Sequence, residues 1–202
     1  MVKMATTFKK ALIERFGVKV PDYLDIVYIN YPCSNDEILL ACKGASYFLV
    51  SPIHIVDRNL IERLDSVKMI HSLGVGFDKI DLEAAREKDI YVCNNSGVNA
   101  QSVAELAISL MSNSLRRIVQ TDAKIKAGGY DEQFMEYRKL GQRELGTATV
   151  GLVGMGAIGK VVAKILNAYG AKMYYSDVVR LDEEFEKKYG LERATYEEIC
   201  KK

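Results

Sequence analysis

The stretch Val150-Gly151-Leu152-Val153-Gly154-Met155-Gly156-Ala157-Ile158-Gly159 decides how this chain is read. It begins as the end of an apolar strand, TATVGLV, crosses three glycines spaced G-x-G-x-x-G, and enters a helix pattern. Ile158, Val161, Val162, Ile165, Leu166 and Tyr169 trace one face of that helix, and Gly170 is the expected stop. Each glycine answers a different need. Gly154 permits a tight bend after the strand, Gly156 lets a ligand approach the backbone, and Gly159 lets the helix pack closely on the strand. The helix, opening at Ala157 and Ile158, then turns its free N–H groups and partial positive charge toward an anion. Asp177 closes the next strand, KMYYSD, 18 residues beyond Gly159, near the spacing of a ribose-binding acid. Strand, turn, helix and acid together predict a dinucleotide site made by Gly154, Gly156, Ala157, Ile158, Gly159 and Asp177. The Asp177 charge repels a 2′-phosphate and so favours NAD over NADP, a preference that Arg180 could soften. Two other uses of the pattern stay open: Asp177 as a strand-end turn residue, and a methyltransferase loop for S-adenosylmethionine.

Ahead of this unit the chain repeats strand and helix. Apolar runs centre near Val27 (DIVYI), Phe48 (YFLV), Met69 (VKMI) and Tyr91 (IYVC). Amphipathic patterns lie between the later ones, with Ser34-Asn35-Asp36-Glu37 as a capping box and Asp57 and Asp81 as N-cap residues. Alternating strands and helices predict parallel sheets in an α/β fold. A long helix is expected from Ser102 to about Ala127, carrying the stripe Val103, Leu106, Ala107, Leu110 and Met111 and ended by Gly128-Gly129. Ser102 and Glu105 fit a capping box at its start. Residues 130–146 are polar and read as a surface connection. After KMYYSD, Thr195-Tyr196-Glu197-Glu198 opens one more capped helix.

Bulk properties exclude several classes. The 202 residues are 49% hydrophobic and 27% charged, with a net charge of +1. Scattered basic residues give no electrostatic case for nucleic acid or a membrane surface. No apolar run reaches the roughly 18 residues of a membrane helix, and the N-terminus lacks a signal-peptide core. Cys33, Cys42, Cys93 and Cys200 fit neither a redox pair nor a zinc site, so no metal is expected and a cytoplasmic setting is.

Three stretches carry a family resemblance. His71-Ser72-Leu73-Gly74-Val75-Gly76-Phe77-Asp78-Lys79-Ile80-Asp81 looks like a "GxGxDxID" loop. Asn99-Ala100-Gln101-Ser102-Val103-Ala104-Glu105 looks like "NxxSVAE", leading to Arg116. Residues 150–159 look like "vGliGxGxIG". In this order the sequence resembles the D-isomer-specific 2-hydroxyacid dehydrogenases, most weakly before about residue 45.

The resemblance implies a flavodoxin-like substrate domain over residues 1–98 and the front half of a Rossmann coenzyme domain over residues 99–202. It implies NAD as cofactor, a small 2-oxo or 2-hydroxy acid as substrate, hydride transfer between the two, and a possible homodimer. The amides of Val75 and Gly76 should hold the substrate carboxylate, with Val75 also near the coenzyme; from the residues alone, Gly74 and Gly76 equally suit a plain tight turn. Ala157 stands where many relatives carry arginine. Arg116 either ties its helix to the other domain or is a solvated surface residue. The family's catalytic arginine, glutamate and histidine would lie beyond Lys202, so the chain reads as C-terminally truncated and inactive alone. His71 and His54 are the tempting substitutes, each more readily a structural histidine. The alternative is a non-catalytic NAD(H)-binding module or regulatory subunit.

Overall fold

A computed structural model describes residues 1–30, 32–141 and 143–201. The chain divides into two compact units, Met1–Val98 and Asn99–Lys202.

The first unit runs β1 (Val2–Thr6), α1 (Lys10–Arg15), β2 (Leu24–Tyr28), α2 (Asn35–Cys42), β3 (Tyr47–Val50), α3 (Arg58–Glu62), β4 (Met69–Ser72), α4 (Leu82–Glu87) and β5 (Tyr91–Asn94). Its strands form one parallel sheet in the order β2-β1-β3-β4-β5. This is the flavodoxin-like order, and the direction of winding reverses between β1 and β3. Ala5, Phe48, Val50 and Ile70 point to one face and are fully buried against Ile38, Leu60, Ile61 and Ala84 of α2, α3 and α4. Each large side chain buried this way contributes about 1.5–3 kcal/mol. The register puts Met4 beside Tyr47 and Tyr47 beside Met69 on the opposite face, where all three are only half-buried. The helix starts follow the sequence. Ser34 and Glu37 form a reciprocal capping box on α2, and Asp57 and Asp81 cap α3 and α4 by accepting from Leu60 and Ala84 N–H.

The second unit runs α5 (Ala100–Arg116), α6 (Ile118–Lys126), α7 (Tyr130–Leu140), a 3-10 turn (Leu145–Thr147), β6 (Thr149–Val153), α8 (Ala157–Tyr169), β7 (Lys172–Ser176), α9 (Glu183–Tyr189), β8 (Leu191–Arg193) and α10 (Tyr196–Ile199). The three strands are parallel in the order β6-β7-β8. Ala104 and Ile108 of α5 meet Val162, Ala163 and Leu166 of α8 in a core completed by Leu152, Met173 and Tyr175.

Four expectations are corrected here. The single helix over residues 102–127 is two, broken where Arg117 takes a left-handed conformation (φ 50°). Ser102 and Glu105 do not cap α5: its N-cap is Asn99, without a side-chain bond, and Glu105 instead accepts from Gln101 one turn back. Residues 130–140 of the expected surface connection are helix α7, held to α6 by a 2.6 Å bond between the Thr121 and Tyr137 hydroxyls rather than by an apolar stripe. Strands β1 and β8 extend the two sheets beyond those foreseen. Among the described residues no helix is long and apolar enough to cross a membrane.

Candidate functional site

The glycine turn joins β6 to α8. Gly154 lies at φ +91°, a conformation open to glycine without strain. Its N–H donates to the Ser176 carbonyl at 2.8 Å, which pins the bend to the end of β7. Met155 turns inward, 3% exposed, and its N–H donates to the Asp177 carboxylate. Gly156 is the N-cap of α8; it offers no capping side chain, and the first turn carries no acid. The N–H groups of Ala157, Ile158 and Gly159 therefore keep the positive end of the helix dipole uncompensated by a cap. A Cβ on Gly156 would meet nothing within 4 Å, so the backbone faces open space there. A Cβ on Gly159 would instead be driven into the Gly154 carbonyl oxygen.

Asp177 follows β7. One carboxylate oxygen accepts from Met155 N–H, and the other from Val179 N–H at 2.9 Å. The Met155 amide first, then the Val179 amide, hold its carboxyl below the ordinary aspartate range, so it is ionised at neutral pH. Beside it opens a cleft of about 870 Å³ lined by Ser176, Asp177, Arg180, Glu186, Arg193 and Tyr196 among others. The room at Gly156, the uncapped helix start and an ionised acid next to this cleft suit a dinucleotide: backbone donors for a pyrophosphate and an acceptor for ribose hydroxyls.

In the first unit, the loop after β4 carries Val75 and Gly76. Its four successive carbonyls are all engaged: Leu73 by Asn95 Nδ2 at 3.2 Å, Gly74 by Asn95 N–H at 2.9 Å, Val75 by Asn94 Nδ2 at 2.7 Å, and Gly76 by the Ser72 hydroxyl at 2.6 Å. The N–H groups of Gly74, Val75 and Gly76 have no hydrogen-bond partner among the described residues. Pro52, from the loop after β3, lies against Gly74, where a Cβ would come within 2.6 Å of the proline Cγ. With the carbonyls engaged and the amides unpartnered among the described residues, the loop has the kind of donor row that can receive a small anion. Asn94, Asn95 and Ser72 were not singled out from sequence. An Asn-Asn pair ending a strand reads as turn chemistry, and nothing local shows that it reaches back some twenty residues.

The histidines are placed plainly. His71 Nε2 lies 3.0 Å from Asn95 Oδ1, an oxygen that only accepts, so the ring N–H donates and helps to orient the asparagine. His54 is 8% exposed in the turn after β3, and burial lowers its pKa. A depressed histidine pKa means that the unfolded chain takes up the proton first. Stability is therefore expected to fall as pH drops below about 6.5, the ordinary histidine value. Melting curves at pH 7.5 and 5.5 check this, and His54→Gln should shrink the difference. Arg116 is exposed at the end of α5, and its carbonyl accepts from the Tyr137 hydroxyl.

A flavodoxin-like parallel sheet, followed by a second parallel sheet whose first strand passes into a helix through a glycine turn, defines a two-unit Rossmann-like α/β protein. The catalytic-domain profile of the D-isomer specific 2-hydroxyacid dehydrogenases matches residues 4–201, and the chain belongs to that family. It is 34% identical over 151 residues to a glyoxylate reductase of Thermofilum pendens, a match covering 75% of this chain and 44% of that protein. It is 32% identical over 187 residues to a D-3-phosphoglycerate dehydrogenase of Methanocaldococcus jannaschii, covering 92% and 34%. Among solved structures, the Aquifex aeolicus D-lactate dehydrogenase complexed with NAD and lactic acid superposes with a TM-score of 0.75 at 25% identity, covering 98% of this chain and 57% of that one. The chain thus spans less than half the length of these two curated relatives.

Proposed function

We propose that this chain carries the NAD site and the carboxylate-binding loop of a D-2-hydroxyacid oxidoreductase, which passes hydride between the nicotinamide and a small 2-hydroxy or 2-oxo acid. The observation that carries this reading is the glycine turn with open space before Gly156 and Asp177 beside it. Ala157, Ile158 and Gly159 would offer N–H groups to the pyrophosphate, and Gly154 and Gly156 would give it room. Asp177 would accept from the adenosine ribose. Bound NAD supplies the hydride chemistry. Val75 and Gly76 would hold the substrate carboxylate through their amides, and Val75 would also neighbour the coenzyme. On this reading residues 1–98 are the substrate domain and residues 99–202 the coenzyme domain. Proton transfer is assigned to no residue of this chain, since His71 is committed to Asn95 and His54 is buried. A cytoplasmic homodimer acting on small acids, without nucleic acid or membrane, completes the proposal. The free thiols of Cys33, Cys42, Cys93 and Cys200 support the cytoplasmic setting, and the homodimer rests on the family resemblance.

The test is a titration of the purified chain with NADH, followed by nicotinamide fluorescence, with NADPH as control. Saturable binding that favours NADH is expected. A chain that is folded by circular dichroism yet shows no saturable signal overturns the reading. Gly156→Ala refines the test. Its φ of −70° suits alanine and its Cβ meets nothing, so the melting temperature should hold. The added methyl occupies the space before the backbone, so NADH affinity should fall by about tenfold, the loss of roughly one good hydrogen bond to a charged group.

A further inference from the structure

Two arginines line the cleft beside Asp177, and both are spoken for. Arg193 donates to the Asp177 carbonyl at 3.3 Å. Arg180 reaches Glu186 through Nε at 3.4 Å and Nη2 at 3.2 Å, one nitrogen to each carboxylate oxygen. The two partners differ in exposure. Arg180 is 55% exposed, whereas the Glu186 side chain is 12% exposed, so the acid is the fixed member. What fixes it is Tyr175, fully buried in β7, whose hydroxyl donates to Glu186 and accepts from Leu181 N–H at 3.1 Å. The chain from Tyr175 through Glu186 to Arg180 therefore starts in the core and ends on the cleft wall.

This matters because an arginine close to the ribose-binding acid is the residue type that receives a 2′-phosphate. A guanidinium already forked onto a carboxylate has two of its five N–H donors occupied and its charge balanced. We infer that Glu186 is a selectivity residue: anchored by Tyr175, it holds Arg180 and denies it to a 2′-phosphate, so that discrimination against NADP(H) does not rest on Asp177 alone. This inference depends on the dinucleotide reading of the glycine turn.

The experiment is a double-mutant cycle on the full chain, reading NADPH and NADH dissociation constants by nicotinamide fluorescence. Glu186→Gln keeps the side-chain volume and an acceptor for Tyr175 but releases the charge on Arg180. It is expected to raise NADPH affinity relative to NADH about tenfold, as a freed arginine gains a phosphate partner. Arg180→Met in the wild-type background should leave that ratio where it was, because the arginine is already committed. In the Glu186→Gln background Arg180→Met should abolish the gain, and this coupling is what the cycle isolates. An unchanged ratio in Glu186→Gln, with NADH still bound, overturns the inference alone. A gain that survives Arg180→Met also overturns it, since loss of negative charge would then be the cause. Failure of the wild type to bind NADH overturns the dinucleotide reading and this inference with it.

Discussion

Gly159→Ala is expected to destabilise the second unit by about 2 kcal/mol, within the usual range for overpacking a tight site. The atoms that the new Cβ would meet are the Gly154 carbonyl oxygen and carbon, and Met155 Sδ at 3.3 Å. Only the sulfur belongs to a side chain that can move. The carbonyl is held because Gly154 and Met155 are both tied to the end of β7. Relief would have to come from lifting α8 off the strand, which disturbs Val162, Ala163 and Leu166 in the core. Alanine's better helix propensity offsets up to about 1 kcal/mol of this. For a unit of about 100 residues the net loss, about 1–2 kcal/mol, lowers the melting temperature by roughly 5–15 °C. Circular dichroism melts of Gly159→Ala beside Gly156→Ala make the comparison. The same methyl three residues apart should cost the fold heavily in one case and little in the other. Equal melts would refute the close-packing account.

Asp177→Ala is the second large effect. On the proposed reading the carboxylate accepts from ribose hydroxyls, and a hydrogen bond to a charged group contributes about 1.5–3 kcal/mol. NADH affinity should therefore fall by roughly 10- to 100-fold, while the discrimination against NADPH narrows. The same substitution strips the acceptor from Met155 and Val179 N–H, so part of the loss is loosening of the turn. Asp177→Asn separates the contributions. It keeps one acceptor oxygen for the backbone while removing the charge, and should fall between wild type and alanine. The sign of the pH dependence is fixed by the depressed pKa of the carboxyl. The stability it contributes is present above the ordinary aspartate value of about 3.9 and is lost as pH falls through the lower, folded value. NADH binding should thus show no titration from Asp177 between pH 5 and 8. A midpoint in that window that disappears in Asp177→Asn would contradict the assignment.

Much of this was legible because the deciding signals are local. The glycine turn, the capping acids at Asp57 and Asp81, the capping boxes at Ser34 and Thr195 and the stop at Gly170 each involve residues within a few positions of one another. What escaped was non-local or polar. Strand β1 is only VKMAT, and its lysine breaks the apolar signal; its place in the middle of the sheet comes from pairing with β2 and β3. Helix α7 is fastened by hydroxyls and Gln133, to which hydrophobic periodicity is blind. The break at Arg117 has no glycine or proline to announce it. At the candidate sites, the glycines and Asp177 could be named from spacing, whereas Asn94, Asn95 and Glu186 could not. Their partners lie 19, 22 and up to 11 residues away.

The loop after β4 has an evolutionary side. On the proposed reading its donors belong to the main chain, so every amino acid except proline at positions 75 and 76 presents the same N–H. A grip of that kind passes intact through most side-chain replacements. The side chains at Leu73 and Val75, both substantially exposed, would then be free to diverge. Constraint would move to the asparagines behind the loop, which hold its shape through the Leu73, Gly74 and Val75 carbonyls. On the proposed reading, descendants of such a chain could drift in substrate while keeping the Asn-Asn pair, and lineages that lost the pair would lose the loop shape on which the proposed grip depends.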